Sequence, residues 1–158
     1  MTPQKINAVN FRRFGRIIEY PKDKPQEKSK NLFRVILKEK EPFGWRMAYL
    51  VVRDKTISRL EQHLFTFESF EPVKGRSLIY LARDKDSSLI ECFYLDRPVI
   101  LYKGVWHGVV TLAEESEIKI SENCSVRSVY WRLGFSLGKA NQMPNPIRQR
   151  PQQASMPL

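Results

Sequence analysis

The chain contains two histidines, His63 and His107, and the first of them stands between two glutamates at short spacing. His63 stands in Glu61-x-His63, four residues separate it from Glu68, and His107 ends the segment Gly104-Val105-Trp106-His107. In an extended strand alternate side chains share a face, so Glu61 and His63 point the same way. Glu68 returns to them after a turn or bulge, and His107 closes the set from a second hairpin. Two carboxylates and two imidazoles converging inside a small β-barrel can hold a divalent ion, with oxygen-rich ligation favouring manganese or ferrous iron over copper. The metal set is then Glu61, His63, Glu68 and His107. The same groups can also work without a metal, as general acid and base.

The elements that must position these residues are short. Runs rich in β-branched and aromatic residues occur at Leu32–Leu37, Trp45–Val52, Thr56–Leu60, Ser77–Ala82, Leu89–Leu95, Val99–Tyr102, Val109–Leu112, Glu117–Ile120 and Val126–Leu133. Turn chemistry separates them, as in Glu41-Pro42-Phe43-Gly44, Pro72-Val73-Lys74-Gly75 and Asp96-Arg97-Pro98. Short strands at such spacing predict an all-β sandwich or barrel. The opening segment Phe11–Ile18 has the one pattern compatible with a helix, and Pro21 ends it. Tyr20–Lys30 is expected to be an exposed loop. Residues 141–158, with Pro144, Pro146, Pro151 and Pro157 among glutamines, are expected to form a flexible tail. Trp106 and the run of Phe65, Phe67 and Phe70 suit a barrel core better than a stacking platform.

A length of 158 residues predicts a single domain spanning 1–140, with 1–30 as its N-terminal segment and loop. The net charge of +10 is unevenly placed: residues 1–55 hold 14 basic and 6 acidic side chains, 56–126 hold 8 and 11, and 127–158 hold 5 and none. The block carrying the candidate site is therefore net acidic. With no nucleic-acid signature, the basic ends are expected to be a solvated surface, and no specific nucleic-acid partner is expected. Cys92 and Cys124 form no C-x-x-C pair, and no stretch approaches the length needed to cross a bilayer, so a reducing, cytoplasmic location is expected.

The spacing of the motif residues resembles the cupin superfamily. Its first motif runs Gly, five residues, His-x-His, three or four residues, Glu, six residues, Gly; here Glu61 takes the place of the first His, and His63, Glu68 and Gly75 keep the register. The second motif runs Gly, five residues, Pro-x-Gly-x-x-His, and Tyr102-x-Gly104-x-x-His107 keeps the Gly-to-His spacing. Within that superfamily the chain is similar to the ureidoglycolate lyase family, also called ureidoglycolate hydrolase. Ile57-Ser58-Arg59-Leu60-Glu61-Gln62-His63 resembles I-H-E-L-E-R-H, Phe70-x-Pro72-x-Lys74-Gly75 resembles F-x-P-x-K-G, and Val105-Trp106-His107 resembles V-W-H. The opening Phe11-Arg12-Arg13-Phe14-Gly15-Arg16-Ile17-Ile18 is similar to F-x-x-F/Y-G-x-V-I, while the family histidine is Ser58 here.

The resemblance implies a single-domain jelly-roll barrel, the double-stranded β-helix of cupins, with minor helical segments. It also implies cleavage of ureidoglycolate to glyoxylate and urea, or action on a related small hydroxy acid. Glu61 or Glu68 is then the base, its pKa expected to be raised by desolvation. His63 or His107 protonates the departing urea or, with a metal, polarises the nascent carbonyl. Catalytic candidates are Glu61, His63 and His107; Arg59, Lys74, Arg97 and Trp106 are candidates for substrate binding, an arginine being preferred for a carboxylate. A homodimer is expected, because open sheet edges in small barrels invite a partner. The competing readings are a non-catalytic cupin that binds a small anionic or sugar ligand, and a metal-dependent isomerase or oxygenase.

Overall fold

The computed structural model describes residues 1–20 and 33–138. In chain order the strands are β1 (Gln4–Lys5), β2 (Gly15–Ile17), β3 (Trp45–Val52), β4 (Thr56–His63), β5 (Glu68–Lys74), β6 (Ser77–Ala82), β7 (Glu91–Tyr94), β8 (Val99–Leu101), β9 (Trp106–Thr111), β10 (Ser116–Asn123) and β11 (Ser128–Gly138). A single 3-10 turn, Ser87–Leu89, follows β6, with Asp86 capping it through the Ser88 amide. Among the described residues there is no α-helix, so the expected minor helical segments reduce to that turn.

The strands form two sheets, ordered β1-β7-β6-β9-β4-β11 and β2-β8-β5-β10-β3. Four pairs within them are nested along the chain: β3 with β10, β4 with β9, β5 with β8 and β6 with β7, all antiparallel. A chain folded as one long hairpin, whose paired strands then alternate between two facing sheets, is a jelly roll. The all-β barrel expected from the strand spacing is therefore the observed architecture.

Three expectations about individual elements are corrected. Residues 33–37 form no strand: Phe33 and Val35 are exposed, so this apolar run finds no ladder among the described residues. The opening segment is a series of turns, with Phe14 and Gly15 amides donating to the Phe11 carbonyl, before β2 begins. Pro72 lies inside β5 rather than in a turn. The ladder to β8 ends at Phe70, and the ladder to β10 shifts register opposite Pro72, so no partner requires the missing amide hydrogen. The expected loop beyond Tyr20, up to residue 30, and the expected tail of 141–158 lie outside the described residues.

Strand alternation creates two apolar layers. β6 is buried along its whole length. Its Ile79 and Leu81 face the barrel interior with Phe70, Phe93, Val99 and Ile118, whereas Leu78, Tyr80 and Ala82 face outward with Leu60, Cys92 and Val110. One end of the interior is filled by Phe11, Phe14 and Phe93 in edge-to-face contacts, with ring centroids 5.7 to 6.3 Å apart, the arrangement that aromatic quadrupoles favour. The outer layer is finished by β11. Its register against β4 breaks between Arg132 and Leu137, where Gly134 takes a positive φ, and Trp131 and Leu137 join the layer.

Candidate metal centre

β4 supplies Glu61 and His63 on one face, and β9 lies beside it with Glu61 directly opposite His107. β5 from the other sheet supplies Glu68. The loop preceding β9 is tied to the end of β4: the Gly104 amide donates to the His63 carbonyl (2.8 Å), and the Gln62 amide nitrogen donates to the Gly104 carbonyl (2.6 Å). This tie holds Gly104 at a positive φ, a conformation that side-chain-bearing residues rarely adopt. Thus the glycine that resembles the second cupin motif is a backbone clamp that sets His107 against His63.

His63, Glu68 and His107 are buried, while Glu61 is partly exposed. His63 Nε2 lies 3.2 Å from Glu68 Oε2 and 3.9 Å from Glu61 Oε1; His107 Nε2 lies 3.1 Å from Glu68 Oε2 and 3.5 Å from Glu61 Oε1. The imidazole rings are 5.2 Å apart. His107 Nδ1 is 3.0 Å from the Val105 carbonyl. Only a protonated Nδ1 can donate in that contact, and the neutral tautomer that does so leaves the Nε2 lone pair free. Although 3.1 Å apart, Glu68 Oε2 and His107 Nε2 are buried without an aligned hydrogen bond.

That geometry fits a cation. Ligand atoms of Glu61, His63 and His107 lie within 4.8 Å of one another, and so do those of His63, Glu68 and Glu122. Mixed imidazole and carboxylate donors suit manganese or ferrous iron. The four expected ligand residues are therefore brought together, and a fifth, Glu122 of β10, joins them. Arg46 Nε and Nη2 both donate to one oxygen of Glu122, Oε1, at 2.9 and 2.7 Å, a charge-assisted contact that leaves the other oxygen to the site. Ser128 of β11 approaches His63 Nδ1 at 3.4 Å. Sequence spacing does not single out Glu122, Arg46 or Ser128. The available signal is period-two alternation: Glu122 follows Ile118 and Ile120 on the inward face of β10, and Arg46 precedes Ala48 and Val52 on β3.

The electrostatics correct one expectation. Burial is the largest influence on Glu68 and would raise its pKa, but the charge of His107 and close contact with both histidines outweigh it and hold it at about 2. Burial would likewise lower His107, yet the charge of Glu68 and contacts with Glu61, Glu68 and the Val105 carbonyl raise it to about 10. Contact with His107 also lowers Glu61. The expected upward shift of a desolvated carboxylate does not occur, because the imidazoles act as counter-charges. Without a metal a proton on His107 offsets one of the two carboxylate charges; a divalent ion would take that proton's place.

A cavity of about 350 Å³ opens from Glu61, Glu68 and His107 along Phe70, Leu50 and Val52. The expected binding residues lie outside this cavity, Arg59 among them. Lys74 is paired with Glu117 at 3.0 Å, and Arg97 contacts Asp96 and Glu19. Trp106 points to the outer layer, edge-on to Trp131 with centroids 5.8 Å apart. It is one residue from His107 and therefore faces the opposite way. Arg59 lies on β4 two residues from Glu61, its guanidinium 4.7 Å above the ring of Tyr130.

Among the described residues no helix is long and apolar enough to cross a membrane. No family model matches the chain, and no curated protein matches it. Among solved structures it is similar to oxalate decarboxylase from Bacillus subtilis, at 13% identity over 58% of this chain and 24% of that chain, with a TM-score of 0.44. One such structure concerns the Mn(II) centres of that enzyme. A further structure of oxalate decarboxylase, concerned with proton-coupled electron transfer, gives 14% identity and a TM-score of 0.43. The chain thus spans about a quarter of the length of these proteins. Its nested strand order makes it a jelly-roll barrel, the architecture that cupins share.

Proposed function

We propose that this protein is a cupin-type lyase that cleaves ureidoglycolate to glyoxylate and urea, or acts on a related small hydroxy acid. The observation that carries the reading is the set of buried His63, Glu68 and His107 with half-buried Glu61, with two unaligned ligand atoms, at the head of a cavity of about 350 Å³. That volume lies at the small end of ligand pockets, which span about 300–1,000 Å³.

The chain's own residues divide the work. Glu68, buried and held at about 2, is a poor base and a good permanent ligand. His63 and His107 would hold the metal with it. Glu61 is the most exposed member of the set and lines the cavity, so it takes the hydroxyl proton of the carbinol carbon. As the carbon–oxygen double bond forms, the carbon–nitrogen bond breaks, and Glu61 returns the same proton to the departing urea nitrogen. A bound divalent ion would act as a Lewis acid on the substrate oxygens. Phe70 and Leu50 form an apolar wall along the cavity.

The test is glyoxylate release from racemic ureidoglycolate, run on metal-stripped protein and again with added manganese, beside Glu61→Gln. Release that the substitution abolishes supports the lyase, and its manganese dependence separates metal from acid–base chemistry. No release under either condition removes the lyase and favours a ligand-binding barrel.

A further inference from the structure

Directly across from Arg59, in the ladder between β4 and β11, stands Arg132. The same ladder places Glu61 opposite Tyr130 and His63 opposite Ser128. Alternation therefore sets the two arginines on the site face, one step beyond Glu61 and about 7 Å from it along the strand. Like charges directly opposed in a sheet repel each other. Other cations of the barrel avoid such a cost by pairing: Arg46 with Glu122, Arg53 with Glu115, Lys74 with Glu117 and Lys119 with Glu71. Arg59 and Arg132 have no ion pair among the described residues, and Arg59 is instead steadied over the Tyr130 ring.

The two arginines line a groove of about 550 Å³ together with Thr56, Ser58 and Asp54. Asp54 also lines the cavity headed by Glu61 and His107, so groove and cavity adjoin. The groove thus offers two planar cationic forks, two hydroxyls and, at its boundary with the cavity, one carboxylate that accepts a hydrogen bond.

We propose that Arg59 and Arg132 form a two-arginine seat for a small carboxylate, whose hydroxyl- or amide-bearing end then extends past Asp54 to Glu61. A carboxylate between two guanidinium groups relieves their repulsion and matches their two-pronged geometry. Arg132 is thereby a specificity-determining residue for small hydroxy acids. The identity of the substrate rests on the proposed lyase activity; the seat itself does not.

The full chain is titrated with sodium glycolate against sodium chloride of equal ionic strength, with ethylene glycol as the uncharged analogue, following heat of binding and melting temperature. Glycolate binds and raises the melting temperature while ethylene glycol does neither, and R132Q and R59Q each lose about tenfold or more in affinity, as expected for loss of a charge-assisted pair. R132K, which keeps the charge but not the fork, falls between and covers the case in which R132Q fails to fold. Glycolate affinity unchanged in R132Q or R132K overturns the seat. Arginine-dependent glycolate binding without glyoxylate release from ureidoglycolate removes the lyase and leaves the seat standing. Release with a KM unaltered by R132K removes the seat and leaves the lyase.

Discussion

Leu60 and Trp106 belong to one face of β4 and β9, and their neighbours Glu61 and His107 belong to the other. The outer face is dry: Leu60 is fully buried, and Trp106 packs edge-on to Trp131. The inner face holds two buried polar atoms without aligned partners, beside a cavity. A single residue step in a pleated strand separates them. The outer layer supplies apolar burial that compensates for an inner site whose polar atoms are held unsatisfied, as is common where chemistry is done. Stability and ligand binding should therefore respond to different substitutions on the same two strands.

The largest effect is expected from Trp106→Ala, which empties the outer layer and costs about 3–5 kcal/mol in urea unfolding. Its remaining folded fraction should still bind manganese; loss of metal binding in that fraction would show that the faces are not independent. On the inner face His107→Gln should weaken manganese binding by more than about 100-fold in calorimetry, since even outer partners of ligands are worth about 10–100-fold. A smaller change would mean that His107 serves the interior as packing.

A third prediction uses pH and metal-free protein. Glu68 is held at about 2, below its ordinary 4.5, so its contribution to stability is complete above the ordinary value and is lost as pH falls toward about 2. His107 is raised to about 10 from 6.5, so its contribution is complete below 6.5 and is lost as pH rises through about 10. The pair therefore stabilises the fold most between about pH 4.5 and 6.5, and Glu68→Gln should flatten both limbs of a stability-versus-pH profile. A profile with limbs unchanged by that substitution would assign them to other groups. The smallest effect is expected for Ser128→Ala, because its 3.4 Å approach to His63 is long. Stability should shift by less than about 0.5 kcal/mol in urea unfolding, and manganese affinity by no more than about tenfold in calorimetry. A larger loss of affinity would make Ser128 a positioning residue for His63.

Much of this fold is legible from local pattern. Trp45–Val52 and Ser77–Ala82 are strands with the bounds that their composition predicts, because β-branched and aromatic residues between turn signals leave few alternatives. The strand at Glu68–Lys74 is not legible, since Pro72 and Gly75 imitate a turn. Only the offset ladder with β10 makes room for the proline. Phe33 and Val35 mislead in the opposite sense: an apolar run without a neighbouring strand to pair with does not become one.

The site divides in the same way. Sequence alone determined that Glu61 and His63 share a face, and that Glu68 and His107 stand at distances along the chain compatible with one pocket, because both follow from strand period and motif spacing. Tertiary structure decided that Glu122, Arg46 and Ser128 join them and that Lys74 and Arg97 do not. It also decided that Arg132 faces Arg59. Each of these outcomes depends on register between strands far apart in sequence, such as Arg59 with Arg132 and Arg46 with Glu122. A one-residue slip in that register would exchange the inward and outward faces, and no local pattern in either strand specifies it.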